Sequence, residues 1–413
     1  MKVLLNDGMD KEGLKLFEQG GIETDTRKRS PEELVREVGE FNALGVRSAT
    51  KITRDVIQAG DAGNLVMIAR AGVGYDNIDI DAANHYGLIV KIAPNGNTNP
   101  TAELTLGLML DVARHISRSD ASLRAGYWRK KQAKGVELSG KTLGIIGCGR
   151  IGQRLSELVR PYMNVVGYDP NLDDVRAKFP NSTILYLPQD EVITRADYLS
   201  LHAGGKGVII SEPQIALMKP TAYLINASRG KYVDEQALYN ALKARRLAGA
   251  GLDVHSLEPS TDAKDEPNFK CIFNGLENVV LTPHLGASTD TGEQATSIET
   301  ADGIIGLLLR GDYTGAINVG ATIQQENRPT YNLILTHRDV PGAFADISRV
   351  LADNGINIRE NPSRQFGNDG NVHTSYLVHQ LVDERVLAQL RQLDVVHSAK
   401  FPAGRVGLGA QYA

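Results

Sequence analysis

The chain has 413 residues, with 45 Lys and Arg against 49 Asp and Glu, which gives a formal net charge of −4. With 42% hydrophobic residues it can bury several ordinary cores, and this balance excludes an intrinsically disordered chain or a collagen-like fibre. The near-neutral charge argues against a nucleic-acid partner, and two cysteines cannot form a four-thiolate zinc site. We expect a soluble, cytoplasmic protein without a metal ion or a membrane span.

Short apolar runs alternate with helix-length segments in the first part of the chain, which is typical of a parallel sheet covered by helices. A turn-rich stretch, APNGNTNP, precedes a predicted helix that has Pro100 in its first turn. We therefore end the first domain at residue 95. The predicted strands of this block are Val3–Leu5, Ala43–Val46, Val66–Ala69 and Leu88–Lys91.

A second alternating block predicts another doubly wound parallel sheet over residues 96–283. A helical pattern after Pro283 runs through Leu309, and residues 284–325 are expected to complete the first domain. The polar segment 324–329, QQENRP, is predicted to be a linker. The strands predicted in the second block are Leu143–Ile146, Val165–Tyr168, Ile184–Tyr186, Tyr198–Leu201, Tyr223–Asn226, Gly249–Leu252 and Val279–Leu281.

The last part of the chain, residues 326–413, has the pattern β-α-β-β-α-β, which predicts a ferredoxin-like α+β domain. The predicted elements are a strand at Asn332–His337, a helix that includes Ile347 and Leu351, strands near Ile356 and at Val372–Val382, a helix at Glu384–Leu393 and a strand at Val395–Phe401.

A glycine-rich loop follows the strand Leu143–Ile146 and leads into a segment with helical spacing. Its sequence has the form G-x-G-x-x-G, with Gly147 for a tight turn, Gly149 for close approach of a pyrophosphate and Gly152 for helix–strand packing. Asp169 ends the next strand, 22 residues after Gly147, where it can bind the adenosine ribose and repel a 2′-phosphate. The loop therefore predicts NAD, not NADP.

Three polar residues follow apolar strands in the second block: Arg229, Glu258 and His284. An Arg fork can bind a carboxylate and polarise the neighbouring oxygen, and a His can take a hydroxyl proton while a hydride leaves for nicotinamide. A Glu beside the ring would orient it and favour its protonated form. Taken singly, each residue could instead be a surface Arg, a helix-capping Glu or a buried His.

The segments LGIIGCGRIG, LINASRG, LDVHSLEP and LTPHLGAST, in this order, resemble the D-2-hydroxyacid dehydrogenase family. The segments RAGVGYDNID and GVRSATKIT are similar to the family's substrate-domain motifs, and the C-terminal part resembles an ACT domain. The resemblance covers essentially the whole chain. It implies two Rossmann-like domains followed by a regulatory or oligomerisation domain.

The resemblance also implies roles for individual residues. Arg229, Glu258 and His284 would be catalytic. In the substrate domain, the backbone near Val73 and Gly74 would hold the substrate carboxylate, and Arg47 and Ser48 would reach its far end. The implied NAD contacts are Gly147, Gly149, Arg150, Ile151, Gly152, Asp169, Ala227, Ser228, Arg229, Asp253, His284, Leu285, Gly286 and Ala287.

Two further features follow from the same resemblance. Trp128, Arg129 and Lys130 are expected to contact a second subunit of a homo-oligomer, a dimer or a tetramer. In the ACT-like domain, His337, Asp339 and Asn357 are candidates for an L-serine effector site, although Asp339 stands where a serine-regulated pattern has Asn. A second departure is the glycine-rich segment 203–211, which is shorter than the corresponding family loop.

The activity that the resemblance implies is NAD-dependent, reversible oxidation of D-3-phosphoglycerate to 3-phosphohydroxypyruvate, the first step of L-serine biosynthesis. For a phosphorylated substrate, Arg47 is the natural phosphate partner. Two alternatives remain open at this point. One is another 2-hydroxyacid dehydrogenase or a 2-oxoglutarate reductase, and the other is a nucleotide-gated binding module similar to the corepressors that share this core.

Overall fold

A computed structural model describes residues 1–205, 207–259, 269–318, 331–360, 363–365, 371–378 and 382–401. The chain divides into two compact units. Unit one comprises Met1–Gly96 and Glu293–Ala413, and unit two comprises Asn97–Gly292. No described helix is both long enough and apolar enough to span a membrane. The predicted division into three domains stays a prediction.

The N-terminal part of unit one is a five-stranded parallel sheet in the order β2-β1-β3-β4-β5. Helices cover the sheet, and its strands other than the edge strand β2 are largely buried, as a parallel sheet with continuous apolar strands requires. The elements are β1 (Lys2–Leu5), α1 (Lys11–Gln19), β2 (Glu23–Asp25), α2 (Pro31–Glu37), β3 (Ala43–Val46), α3 (Arg54–Asp61), β4 (Met67–Arg70), α4 (Ile80–Tyr86) and β5 (Ile89–Ile92).

Unit two has a seven-stranded parallel sheet in the order β12-β11-β10-β9-β6-β7-β8. The chain adds β7 and β8 on one side of β6 and then crosses to add β9, parallel to β6, on the other side, and ligands of such sheets bind at the carboxyl ends of the strands beside that switch point. Its elements are α5 (Thr98–Arg114), α6 (Ile116–Arg124), β6 (Thr142–Ile146), α7 (Arg150–Val159), β7 (Asn164–Tyr168), α8 (Leu172–Lys178), β8 (Leu185–Tyr186), α9 (Gln189–Arg195), β9 (Tyr198–Leu201), α10 (Glu212–Leu217), β10 (Tyr223–Asn226), α11 (Glu235–Lys243), β11 (Gly249–Leu252) and β12 (Val279–Leu281).

The rest of the chain forms one long helix and an antiparallel sheet in the order β14-β16-β13-β17, with β15 paired to β16. Leu333 and Leu335 of β13 pack against two helices on one face of this sheet. The elements are α12 (Asp290–Arg310), β13 (Tyr331–Arg338), α13 (Ala343–Asp353), β14 (Ile358–Glu360), β15 (Ser363–Gln365), β16 (Asn371–Val378), α14 (Glu384–Arg391) and β17 (Val396–Lys400).

The other face of the antiparallel sheet packs against the N-terminal part of unit one. Ile334 joins the apolar core there, and a Cβ added at Gly87 would lie only 2.1 Å from Thr336 Oγ1. The Lys400 ammonium is buried, lies 3.1 Å from Asp61 Oδ1, and has a lowered pKa, mainly because of its burial. The alternation along β13 therefore places side chains in two cores, since Leu333 and Leu335 pack against the helices while Ile334 and Thr336 contact the parallel-sheet part.

The predicted fold class is confirmed: two parallel α/β sheets and a C-terminal α+β domain. Three details were not predicted correctly. The short strands Glu23–Asp25 and Ser363–Gln365 are polar and lack a strand-like apolar pattern, and the helix expected after Pro283 begins only at Asp290. The predicted linker at 324–329 lies outside the described residues.

Candidate active site

The glycine-rich loop connects β6 to α7 and has the geometry that a dinucleotide requires. Gly147 has φ 95°, and a Cβ there would lie 2.4 Å from the Ala203 nitrogen, so only glycine fits this turn. A Cβ at Gly152 would lie 2.5 Å from the Gly147 carbonyl oxygen, whereas a Cβ at Gly149 would meet nothing within 4 Å. Gly149 caps α7 without a side-chain hydrogen bond, which leaves its first N–H groups to an incoming pyrophosphate.

Asp169 lies at the end of β7 beside this loop. Its Oδ2 accepts a hydrogen bond from the Cys148 N–H at 2.8 Å, and its Oδ1 accepts one from the Asn171 N–H at 2.9 Å. This carboxylate is held next to the loop, where an adenosine ribose binds in such folds. Burial raises the pKa of the Cys148 thiol to about 12, so this thiol is a packing group and not a nucleophile. The residues of the loop therefore fit NAD.

The Arg229 segment follows β10, and Asn226, the last residue of that strand, shapes it. Asn226 Oδ1 accepts hydrogen bonds from the Ser228 N–H and hydroxyl at 3.1 and 3.0 Å, and its Nδ2 donates to the Arg229 carbonyl at 2.9 Å. A Cβ at Gly230 would lie 2.1 Å from the His255 carbonyl carbon. The absence of that Cβ lets the chain after β10 approach the segment that leads to Glu258.

Glu258 and His284 form a close pair after the neighbouring strands β11 and β12. His284 Nδ1 lies 2.7 Å from Glu258 Oε2, and Glu258 Oε1 accepts a hydrogen bond from the His255 N–H at 3.0 Å. Burial alone would raise the pKa of Glu258, but these partners hold it below its ordinary value, so the carboxylate is charged at neutral pH. The pair orients the ring and leaves Nε2 as the ring nitrogen directed away from the glutamate.

Asp253 holds the loop that carries His284. Its Oδ1 accepts hydrogen bonds from the Thr282 hydroxyl at 2.6 Å and the Leu285 N–H at 2.7 Å, and its Oδ2 accepts one from the Gly286 N–H at 2.9 Å. The His284 N–H donates to the Asp253 carbonyl, and His284 has φ 56°, a left-handed conformation. A positioning role for Asp253 is therefore visible, while its predicted contact with NAD stays a prediction.

His202 provides a useful contrast to His284. It directly follows β9, close to the glycine loop, and is largely buried, and this burial lowers its pKa to about 4. Its Nε2 lies 2.8 Å from the Ser200 hydroxyl. A ring that stays neutral at ordinary pH is not suited to exchange a proton with substrate. Across the described part of the chain, no group of three or more His, Cys, Asp and Glu is placed to hold a metal ion.

In unit one, Arg47 follows β3 and has a fixed backbone. Its N–H donates to Asp7 Oδ2 at 2.7 Å, and its carbonyl accepts a hydrogen bond from Asn77 Nδ2 at 2.8 Å. The guanidinium reaches Glu293 in the first turn of α12, with 2.8 Å between Nη2 and Oε1. Arg47 therefore presents a half-exposed cation at the carboxyl end of the sheet, with a carboxylate beside it.

Asp7 is the residue that holds this loop in place. Its Oδ1 accepts hydrogen bonds from Lys28 Nζ and the Thr50 hydroxyl, both at 2.7 Å. Burial would raise the pKa of Asp7, but the hydrogen bonds from Lys28, Thr50 and the Arg47 N–H hold it below its ordinary value. The loop is therefore held by a charged carboxylate at neutral pH, and this support is lost only as the pH falls below about 4.

Arg70, at the end of β4, links the two predicted substrate-binding loops of unit one. Its Nη2 donates to the Ser48 hydroxyl at 3.2 Å, and its Nη1 donates to the Ala71 carbonyl at 2.8 Å. The loop continues through Val73 and Gly74, and both are partly buried. A second guanidinium thus lies beside Ser48.

The predicted effector residues have different environments. His337 is completely buried, with Nδ1 at 2.9 Å from the Arg338 carbonyl and Nε2 at 2.8 Å from the Thr374 hydroxyl. Burial lowers its pKa. Asp339 and Asn357 are exposed. An effector could form a hydrogen bond with the His337 ring only by replacing one of these two internal hydrogen bonds.

Sequence reasoning missed four residues that support the site: Asp7, Arg70, Asn77 and Asn226. A signal for three of them exists, because Arg70 and Asn226 end strands and Asp7 lies two residues beyond one. Polar residues at the carboxyl ends of parallel strands are candidates for a site. Asn77 carries no such signal, since its role depends on a turn that brings it to the Arg47 and Thr50 carbonyls.

Comparison with known proteins gives two family matches. Residues 106–286 match the NAD binding domain of the D-isomer specific 2-hydroxyacid dehydrogenases, and residues 331–395 match the ACT domain. The chain is 41% identical over 332 residues to D-3-phosphoglycerate dehydrogenase of Methanocaldococcus jannaschii, covering 79% of this chain but 61% of that protein. It thus spans about three fifths of the length of such curated relatives.

Two other proteins match over nearly their whole length. Hydroxypyruvate reductase of Thermotoga maritima is 39% identical over 308 residues, which is 73% of this chain and 97% of that protein. The solved structure of NAD+-bound 3-phosphoglycerate dehydrogenase of Entamoeba histolytica superposes with a TM-score of 0.62 at 25% identity, covering 77% of this chain and 98% of that one. Together with the site geometry, these matches show that the chain belongs to the D-isomer specific 2-hydroxyacid dehydrogenase family.

Proposed function

We propose that this chain is an NAD-dependent oxidoreductase that converts D-3-phosphoglycerate to 3-phosphohydroxypyruvate, the first step of L-serine biosynthesis, by reversible hydride transfer. The observation that carries the proposal is the Glu258–His284 pair, with 2.7 Å between Oε2 and Nδ1, in the same unit as the dinucleotide loop. The phosphoglycerate dehydrogenases among the relatives support the choice of substrate. A cytoplasmic location suits this biosynthetic step.

The three proposed catalytic residues of unit two each have a chemical role in this reaction. The bound nicotinamide supplies the hydride acceptor. His284 Nε2 accepts the hydroxyl proton during oxidation and returns it during reduction, because a positioned imidazole can exchange protons near neutral pH. Glu258 stabilises the protonated ring. Arg229 binds the substrate carboxylate and polarises the adjacent oxygen.

The cofactor site combines the loop and the strand ends described above. Asp169 binds the adenosine ribose hydroxyls and disfavours a 2′-phosphate, since two anions would then meet. The N–H groups at the start of α7 hold the pyrophosphate. The other proposed contacts are Gly147, Gly149, Arg150, Ile151, Gly152, Ala227, Ser228, Asp253 and the segment 284–287.

The substrate would be bound by residues of unit one. The backbone near Val73 and Gly74 holds the carboxylate, and Ser48 and Arg47 bind the phosphate at the other end. Arg70, which donates to the Ser48 hydroxyl, adds a second positive charge there. Arginine suits this task because its planar fork matches the oxygen geometry of phosphate.

A second candidate function is reduction of an unphosphorylated 2-oxo acid, such as hydroxypyruvate or 2-oxoglutarate. The match to a hydroxypyruvate reductase over 97% of its length favours this alternative. The two activities share the chemistry of His284 and Arg229 and differ in the far end of the substrate. The residue that distinguishes them is therefore Arg47.

The deciding experiment compares initial rates of NADH oxidation with phosphohydroxypyruvate, hydroxypyruvate, 2-oxoglutarate and pyruvate. We expect the highest kcat/KM with phosphohydroxypyruvate. A higher value with an unphosphorylated acid would replace the proposed substrate, and no turnover with any of the four would favour a nucleotide-gated binding module. Repeating the rates with NADPH tests the cofactor preference assigned to Asp169.

Replacing Arg47 with alanine is expected to raise KM for phosphohydroxypyruvate about 10- to 100-fold, because a charge-assisted bond to phosphate is lost. KM for hydroxypyruvate should change less than about threefold, since that substrate has no phosphate for the guanidinium to bind. Steady-state rates with both substrates measure the difference. Equal losses for the two substrates would contradict the phosphate role of Arg47.

Replacing Glu258 with glutamine is expected to move the pH–rate profile to lower pH by about one unit, because a neutral amide no longer favours the charged ring. Both the acid limb of oxidation and the alkaline limb of reduction should move in this direction. The lowered pKa of Glu258 means that the pair forms fully above about pH 4.5 and is lost as the pH falls further. A profile that keeps its position would show that Glu258 does not act on the ring.

The proposed enzyme would act as a homo-oligomer. Several large apolar side chains of unit two are exposed around α6 and the loop after it, with Trp128 at 82%. Exposed apolar surface of this kind marks protein interfaces. A second copy of the chain would cover it, and Arg129 and Lys130 would lie at that contact. The number of subunits, two or four, can be measured by light scattering.

L-serine is the proposed effector of the C-terminal domain, at the exposed Asp339 and Asn357 and the buried His337. An amino acid's ammonium would suit the Asp339 carboxylate. Binding of L-serine would affect the N-terminal part of unit one through the buried face of the antiparallel sheet, where Thr336 and Lys400 contact that part. Rates measured with and without L-serine test this regulation directly.

A further inference from the structure

The pair formed by Arg47 and Glu293 combines a cation proposed to bind phosphate with an anion already beside it. Nη2 of Arg47 lies 2.8 Å from Oε1 of Glu293, and both side chains are 45% exposed. The two residues are 246 positions apart, so the contact is created by the fold of unit one. The backbone of Arg47 is held by Asp7 and Asn77, so its side chain extends from a defined position beside Glu293.

Glu293 is well placed to keep its negative charge there. It lies in the first turn of α12, a helix of 21 residues, and the N-terminal end of a helix favours negative charge. A carboxylate also matches the planar fork of a guanidinium in the same way that a phosphate does. Glu293 therefore occupies one of the donors of Arg47 that would bind the phosphate of the proposed substrate.

We propose that Glu293 is a specificity-determining residue whose carboxylate competes with the substrate's phosphate for Arg47. This inference rests on the proposed phosphate role of Arg47. Binding of a phosphorylated substrate must break the ion pair and place the phosphate next to the negative charge of Glu293. An unphosphorylated 2-oxo acid leaves the pair intact. Glu293 thereby lowers the preference of the enzyme for phosphorylated over unphosphorylated substrates.

The size of the effect follows from the exposure of the pair. Half-exposed ion pairs are weak, so a phosphate dianion can displace the carboxylate, but the competition still reduces its affinity severalfold. Screening by salt should weaken both the pair and the repulsion between Glu293 and the phosphate. The difference between substrates is therefore expected to be largest at low ionic strength.

The test is the near-isosteric substitution Glu293→Gln in the full chain, assayed at low salt with phosphohydroxypyruvate and hydroxypyruvate. We expect KM for phosphohydroxypyruvate to fall about three- to tenfold and KM for hydroxypyruvate to change less than about twofold. Inorganic phosphate, used as a competitive inhibitor, should bind the variant more tightly by a similar factor. Glu18→Gln, an exposed position on α1, makes the same charge change elsewhere in unit one and controls for it.

Two results would overturn the inference. KM for phosphohydroxypyruvate could stay unchanged, or it could rise, which would mean that Glu293 holds Arg47 in its working position instead of competing for it. The variant Arg47→Ala separates this failure from that of the proposed function. If Arg47→Ala is selective for the phosphorylated substrate while Glu293→Gln has no effect, only the role of Glu293 is wrong. If Arg47→Ala affects both substrates equally, the phosphate role of Arg47 itself is wrong.

Discussion

Replacing His284 is expected to lower kcat about 10³-fold in both reaction directions, because the substrate hydroxyl loses the group that exchanges its proton. Asparagine is the better substitution, since it tolerates left-handed backbone and His284 has φ 56°. Alanine at the same position would add strain of about 1 kcal/mol to the loop. The comparison of His284→Asn with His284→Ala therefore separates lost chemistry from a distorted loop.

Binding of NADH is expected to survive both substitutions, because the pyrophosphate and ribose contacts lie at the glycine loop and Asp169 and not at the ring. Quenching of protein fluorescence by NADH measures this binding. His85→Asn, an exposed position on α4, is the matched control and should leave kcat unchanged. If His284→Asn kept more than a tenth of wild-type turnover, the acid/base role would have to be given to another group.

Replacing Arg229 with lysine is expected to lower kcat/KM about 10²- to 10³-fold, although the positive charge is kept. A lysine is a point charge and cannot make the two parallel hydrogen bonds that bind a carboxylate and polarise the neighbouring oxygen. The carboxylate is bound in the ground state and the oxygen is polarised in the transition state, so we expect KM to rise and kcat to fall. Arg229→Gln should lose more than Arg229→Lys.

The control for Arg229 is Lys231→Gln, which removes an exposed cation two residues further along the chain. It should change kcat/KM by less than about threefold, because an exposed charge outside the site contributes little. If Lys231→Gln has near wild-type activity and Arg229→Gln has the lowest, the result supports a specific bidentate role for the Arg229 guanidinium. Similar losses in all three variants would indicate a general electrostatic effect of this segment.

Most strands of both parallel sheets were predictable because they are continuous apolar runs between turn residues. Ala43–Val46, Tyr198–Leu201, Tyr223–Asn226 and Gly249–Leu252 are found at the predicted residues. The polar strand Glu23–Asp25 could not be predicted in this way. It forms because its backbone pairs with β1 at the edge of the sheet, and that pairing is independent of its side chains.

The start of α12 shows how a tertiary contact overrides a local pattern. The helical spacing continues back towards Pro283, but the helix begins at Asp290. The Asp253 carboxylate binds the N–H groups of Leu285 and Gly286 and holds that segment as a loop. The same contact positions His284, so the later start of α12 and the formation of the site have one cause.

The sequence by itself determined the fold class, the dinucleotide loop and the identity of the residues that can carry hydride-transfer chemistry, because glycine spacing and apolar periodicity are local signals. Only the tertiary structure decided which of these residues meet. It paired His284 Nδ1 with Glu258, buried most of His202 so that the pKa of its ring is lowered to about 4, and brought Glu293 to Arg47 across 246 positions of the chain. Such contacts depend on how distant strand ends and helix termini pack, and the spacing of residues along the chain does not predict that packing.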